Sequence, residues 1–188
     1  MENYNPTRVV LSGFDFNEIS SYISLSEKTL LVISETLLNL RPDIPSFFPE
    51  DTFLYSTSGS NPDLHTIDKI TFPESCSQVV GIGGGSKLDT AKALFSKLIS
   101  RNSISLERLV ENPHLLDPFK SVRAQYKLVL VPTTFGSSSE ITRWGTLWDF
   151  KKMKKFSVDN DILYADTALI DPGLSLSAPK EITAFTGL

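Results

Sequence analysis

Three consecutive glycines at the end of an apolar run, in "VVGIGGGSKLDTAKAL" at residues 79–94, constrain this chain more than any other feature. The stretch "SQVVGIG" (77–83) reads as a buried strand, because its apolar residues run on without polar alternation. "SKLDTAKALFSKLIS" (86–100) reads as a helix, with Leu88, Ala91, Leu94, Phe95 and Leu98 recurring at three- and four-residue spacing. Between the two, Gly84 and Gly85 carry the turn, and Ser86 with Asp89 has the S-x-x-D spacing of a capping box that would fix the helix start. A helix start presents N–H groups without intrahelical partners and a partial positive charge, so it attracts phosphate. Glycine in the turn lets a diphosphate lie against bare main chain. A tight strand-to-helix turn with no ligand explains the same residues. The pattern is neither G-x-G-x-x-G nor G-x-x-x-x-G-K-[ST], so the motif by itself leaves both readings open.

Around this junction, short β-rich runs alternate with helical patterns. "RVVLSG" (8–13), "TLLVIS" (29–34), "TFLYST" (52–57), "KLVLVP" (127–132) and "TALID" (167–171) read as further strands. Weak helical character marks "NEISSYIS", and "SLERLVEN" reads as a short helix followed by an irregular connection through "NPHLLDPF". "SNPDLHTIDKI" (60–70) reads as a helix with Ser60 or Asn61 as its cap and Pro62 in the first turn. "RWGTLWDFKKMKKFSV" (143–158) departs from the alternation: two β-prone arms flank a Lys-rich connection, which predicts an antiparallel hairpin attached to the sheet. The sequence therefore predicts an α/β fold, a doubly wound and mostly parallel Rossmann-like sheet with helices on both faces and one β-hairpin.

Composition narrows the function. With 188 residues the chain can bury one full domain, and a net charge of −4 gives no basic face for nucleic acid. No run approaches the length of a membrane span, and "MENYNPTR" lacks the apolar core of a signal peptide. One cysteine, Cys76, forms no intrachain disulfide and fits a reducing, cytoplasmic setting as a passive thiol. Two scattered histidines, His65 and His114, read as surface or loop residues and offer no metal site; Asp171 in "IDPGL" reads as a turn former.

A second cluster, "VPTTFGSSSEIT" (131–142), follows another apolar strand at the edge where open α/β sheets bind ligands. Thr133, Thr134 and Ser137 to Ser139 supply hydroxyls suited to ribose and phosphate oxygens. Together, "GGGSKLDTAK" (83–92), "VPTTFGSSSEIT", "KKFSV" (154–158) and "ALIDPGLSLSAPKEITAFTGL" (168–188) resemble the iron-containing alcohol dehydrogenase superfamily, which includes glycerol dehydrogenase and is related to dehydroquinate synthase. The resemblance implies a dehydroquinate-synthase-like N-terminal domain that binds NAD or NADP. By position, Gly84, Gly85, Ser86 and Asp89 match the residues that hold the diphosphate and neighbouring ribose. Thr133 and Ser137 match the contacts around the adenine and its ribose. Lys155 matches a lysine that approaches the cofactor, whereas Lys92 reads as a helix-face residue.

The match has departures. Ser138 stands where the family usually has Gly. Ser34, ending "VIS", falls where an acidic residue commonly receives the adenosine ribose; Ser34 there admits the 2′-phosphate of NADP, and Glu35 turned inward favours NAD. The resemblance also implies that an aspartate and three histidines binding iron or zinc follow in the full-length parent. Residues 1–178 are then the nucleotide-binding domain and 179–188 the start of a helical metal-binding domain, whose apolar residues Ile182, Ala184, Phe185 and Leu188 would fray or drive self-association. The expected function is the cofactor-binding half of an enzyme passing hydride between a small alcohol and its aldehyde or ketone, inactive alone. Two alternatives stand beside it: a free-standing nucleotide-binding or protein-interaction domain, and a fragment of a dehydroquinate-synthase-like or glycerol-phosphate-dehydrogenase-like parent.

Overall fold

In the computed structural model, which describes residues 5–11, 16–73, 75–176 and 184, eight strands divide between two sheets. β1 (Arg8–Leu11), β2 (Lys28–Ser34), β3 (Phe53–Thr57), β4 (Cys76–Gly83) and β5 (Lys127–Pro132) join β8 (Thr167–Ile170) in one parallel sheet of order β1-β8-β5-β4-β2-β3. β6 (Trp144–Asp149) and β7 (Lys154–Asp159) pair antiparallel as a separate hairpin. The chain moves outward from β2 to β3, then crosses back to the other side of β2 to lay down β4. That reversal makes the carboxyl ends of β2 and β4 the switch point of a doubly wound sheet, where a crevice opens.

Burial on both faces explains why the central strands are continuous apolar runs. Leu30, Val32, Val79, Leu128 and Leu130 point to one face, where they meet α2 (Leu64–Asp68), α3 (Gly85–Ile99) and α4 (Leu106–Glu111). Leu31, Ile33, Val80, Ile82, Val129 and Val131 point to the other, with Phe16, Ile19, Ile44, Leu37 of α1 (Glu35–Leu40) and Leu174 of α5 (Pro172–Ser175). The two-residue period of a strand thus builds two cores from one sequence. Gly81 lets α3 approach β4 closely, since a Cβ there would lie 2.7 Å from Ala91 Cβ.

The hairpin does not extend the sheet. It covers the outer side of α3, and a Cβ on Gly145 would sit 3.2 Å from Lys92 Cβ and 3.3 Å from Asp89 O. Trp148 N–H donates to Pro62 O at 2.8 Å, which ties the same hairpin to the turn before α2. Sandwiched between sheet and hairpin, α3 buries twelve of its fifteen residues.

Local differences from the sequence reading have local causes. α2 starts at Leu64 with Asp63 as its cap, because the Asp63 carboxylate accepts the Thr66 N–H at 2.9 Å; neither Ser60 nor Asn61 does so. "NPHLLDPF" is not irregular but opens a 3-10 helix over Pro113–Gln125. Asp171 accepts from Gly173 N–H and caps α5, the turn role expected of it. Apart from Ala184, the helix expected after Pro179 lies outside the described residues, as do positions 12 and 13 of the first expected strand.

Candidate functional site

β2 and β4 end side by side at the switch point, and α3 begins there. Gly83, the last residue of β4, has φ +154°, and a Cβ on it would lie 2.6 Å from Lys87 Cγ and 3.5 Å from Ser34 Cβ. Glycine is required on both counts. Gly84 is the N-cap and Gly85 the first helical residue, with no side chain capping the start. The expected capping box is not formed. Since α3 starts one residue earlier than Ser86, Ser86 lies within the first turn and donates its hydroxyl to Ser60 O. Asp89 is then placed in the second turn and accepts from Ser139 Oγ at 2.8 Å. The first helical hydrogen bond is donated by Lys87 N–H to Gly84 O at 2.8 Å, so the Gly85 and Ser86 N–H groups precede it. A four-turn helix with an uncapped start is the arrangement that attracts an anion.

The loop after β5 lies against this start. Thr133 N–H donates to Gly83 O at 3.0 Å. A Cβ on Gly84 would come within 3.1 Å of Thr134 Oγ1, and one on Gly85 within 2.7 Å of Ser137 Cβ. The glycines therefore admit the hydroxyl-bearing loop as closely as they would admit a ligand. Ser138 takes the left-handed conformation, φ 50° and ψ 20°, and turns the chain so that the next residue, Ser139, is buried beneath the loop.

Charged groups ring the junction. Burial raises the Asp89 carboxyl above the ordinary range; the Ser139 hydroxyl, the Lys92 ammonium, the Thr146 N–H and Lys155 pull against that shift. Lys155 lies on β7 opposite Trp148, 6.0 Å from its ring centroid, and its charge reaches Asp89. Lys92, read from the sequence as a helix-face residue, lies on the buried face of α3 and is 0% exposed. Its ammonium donates to Thr142 O at 2.7 Å, Thr142 Oγ1 at 3.0 Å and Trp144 O at 2.9 Å. Burial lowers its pKa to about 8, against the attraction of Asp89 and Glu140. At the other side of the crevice Ser34 ends β2, half-buried, while Glu35 is exposed in the first turn of α1. Of the residues expected at the site, Ser34, Gly84, Gly85, Ser86, Thr133, Thr134 and Ser137 lie at or beside the start of α3, Asp89 is one turn further along, and Lys155 stands on the hairpin, where its charge reaches Asp89.

His65 is also more than a surface residue. Its ring sits between α4 and the hairpin, with Nε2 3.2 Å from buried Asp149 and Nδ1 3.4 Å from Glu107. His114 is exposed beside Asp117. Cys76 is buried, and burial pushes its thiol up, as an inert core residue requires. Among the described residues no group of three or more His, Cys, Asp or Glu is placed to hold a metal ion, and no helix is long and apolar enough to cross a membrane.

Glycine turn, hydroxyl loop and flanking hairpin all lie within the span that one family's profile covers. Its profile, iron-containing alcohol dehydrogenase, matches residues 6–172. The chain belongs to the iron-containing alcohol dehydrogenase family. A sulfoacetaldehyde reductase of Bilophila wadsworthia is 33% identical over 141 residues, 72% of this chain and 34% of that protein. Among solved structures, the sulfoacetaldehyde reductase of Bifidobacterium kashiwanohense in complex with NAD+ has a TM-score of 0.73 at 22% identity, covering 98% of this chain and 49% of that one. NADH-dependent butanol dehydrogenase A of Thermotoga maritima has a TM-score of 0.76 at 20% identity, covering 99% and 48%. The chain thus spans a third to a half of the length of these alcohol dehydrogenase relatives.

Within this family domain the sequence reading did not single out Lys87, took Lys92 for a helix-face residue, and offered the Ser139 hydroxyl to a ligand where the structure gives it to Asp89. Lys92 lies four residues after Leu88 and three before Phe95, on the apolar stripe of α3, and that spacing was the available signal. Lys87, four before Ala91, carries the same signal. The partnership of Ser139 with Asp89 spans fifty residues and has no local signature.

Proposed function

We propose that this chain is the dinucleotide-binding half of a metal-dependent, NAD(P)-linked alcohol dehydrogenase that passes hydride between a small alcohol and its aldehyde or ketone. One observation carries the reading: the uncapped start of α3 opens at the switch point of a parallel sheet, against a loop of hydroxyl side chains. In this proposal the N–H groups of Gly85 and Ser86 receive the diphosphate, with Gly84 keeping the approach clear. Ser34 faces the adenosine ribose, and Thr133, Thr134 and Ser137 offer hydroxyls to ribose and phosphate oxygens. Asp89 orders that loop through Ser139, and Lys155 approaches from the hairpin. The NAD+ complex of the Bifidobacterium reductase, which shares the fold, supports the choice of ligand.

Iron or zinc, when bound, would polarise the alcohol oxygen as a Lewis acid. The described residues offer it no ligand set, so what this chain contributes is binding and orienting the dinucleotide. A cytoplasmic setting agrees with the single buried thiol, and the net charge of −4 gives nucleic acid no purchase.

A second reading has its own support. Thr134 and Ser137 already press on Gly84 and Gly85, so packing alone would justify those glycines in a domain that binds no cofactor. Titration of the 188-residue chain with NADH and NADPH, followed by Trp144 and Trp148 fluorescence, separates the two. Saturable quenching by either cofactor is expected; a flat response to both would overturn the dinucleotide reading.

A further inference from the structure

α3 grips the chain that leaves β5 at two points. Asp89 accepts from Ser139 Oγ at 2.8 Å, and Lys92, one turn further along the same helix, reaches the other end of that segment. The Lys92 ammonium donates to Thr142 O at 2.7 Å, to Thr142 Oγ1 at 3.0 Å and to Trp144 O at 2.9 Å. Thr142 ends the short helix that follows the hydroxyl loop, and Trp144 opens the hairpin that carries Lys155. Gly145 lets the hairpin come this close, since a Cβ there would lie 3.2 Å from Lys92 Cβ. One buried side chain thus fixes both loop and hairpin relative to the helix whose start faces the crevice.

Three acceptors take all three N–H groups of an ammonium. A neutral amine has two, so one acceptor is left without its donor. Burial brings the Lys92 pKa down to about 8, against the attraction of Asp89 on α3 and Glu140 on the gripped segment. From the hairpin, Lys155 acts on Asp89. The third bond is therefore made near pH 7 and mostly lost by about pH 9.

We propose that Lys92 is a positioning residue for the dinucleotide, and that its three-bond form sets the spacing of hydroxyl loop and hairpin at which the cofactor is held. This rests on the dinucleotide reading above. Lys92 acts through Thr142 and Trp144 on Thr133 to Ser137 and on Lys155. Losing the third bond loosens that spacing and weakens cofactor binding, yet the fold does not weaken in step. Because the Lys92 pKa is lower in the folded chain than in the unfolded one, its contribution to stability grows as pH rises through the same window. Affinity and stability should therefore move in opposite directions, which a lysine with a purely structural role would not produce.

Titration of the full chain with NADH and NADPH near pH 7 and at about pH 9, beside urea unfolding in the same buffers, tests this. The cofactor that binds is expected to weaken about three- to tenfold at the higher pH, the loss of one hydrogen bond. Lys92→Met should bind at the weaker level at both pH values. Thr142→Val leaves two carbonyls for two protons, so its affinity should vary by less than about twofold. If neither cofactor binds at either pH, the dinucleotide reading falls and takes this role with it. If wild-type affinity holds level or rises with stability, or either folded variant keeps the wild-type pH dependence, the positioning role alone is wrong. Should Lys92→Met fail to fold, Thr142→Val decides.

Discussion

Ser139 donates its hydroxyl to the Asp89 carboxylate over 2.8 Å, joining the loop after β5 to the second turn of α3. The two residues lie fifty apart in sequence and lock the two halves of the candidate site together. Ser139→Ala removes a donor from a carboxylate that burial already disfavours, and a loss of roughly 1–3 kcal/mol is expected in urea unfolding. Because burial raises the Asp89 pKa, the folded state binds that proton more tightly than the unfolded chain does. Its contribution to stability is therefore fullest below the ordinary carboxylate range and declines as pH rises through it. The deficit of Ser139→Ala should accordingly be larger at neutral pH than in acid. Equal deficits at both would contradict this.

Lys92 behaves with the opposite sign. Its pKa is lowered to about 8 by burial, so between that value and the ordinary lysine range the unfolded chain holds the proton and the folded state does not. Stability from this group should rise across that window by up to a few kcal/mol. Lys92→Met leaves Thr142 O and Trp144 O without this donor and is expected to cost about 2 kcal/mol or more at neutral pH. Urea unfolding of both proteins near pH 7 and about pH 9.5 should show the wild-type advantage widening at the higher pH.

Ser138 sits at φ 50° and is exposed. Ser138→Gly relieves a left-handed conformation that disfavours a side chain, offset in part by the greater freedom of glycine in the unfolded chain. A gain of about 0.5–1 kcal/mol is expected, read as a higher melting temperature. A lower one would show that the loop depends on the serine.

Much of the architecture was legible because each element has a period of its own. Continuous apolar runs marked β2, β4 and β5, and the three- and four-residue stripe marked α3, within a residue of their observed ends. The expected gathering of Gly84, Gly85, Thr134 and Ser137 also followed from two motifs at the ends of neighbouring strands. The failures were in the side chains. Ser86 and Asp89 fitted a capping box by spacing, yet the helix began one residue earlier, and distant partners, Ser60 and Ser139, took both groups. Lys92 read as a helix-face residue because nothing near it in sequence marks its partners. The carbonyls that let it be buried, Thr142 O at the end of the loop after β5 and Trp144 O on the hairpin, come from chain about fifty residues later.

Gly85→Ala tests whether the glycine turn serves the ligand as well as the loop. Alanine is a good helix former at this position, but its Cβ would lie 2.7 Å from Ser137 Cβ and displace the exposed loop. Thermal unfolding should change little, while dinucleotide affinity falls by about tenfold or more as the loop hydroxyls move out of register. Lowered stability with unchanged affinity would assign the glycine to packing alone.

The central claim is that a dinucleotide's diphosphate rests on the first turn of α3. Backbone amide NMR of the chain during titration with NADPH reads this directly. The largest shifts are expected at the Gly85 and Ser86 N–H groups, with accompanying changes in Thr133 to Ser137. Saturation with those amides unmoved, and the shifts confined to residues elsewhere on the surface, would contradict it.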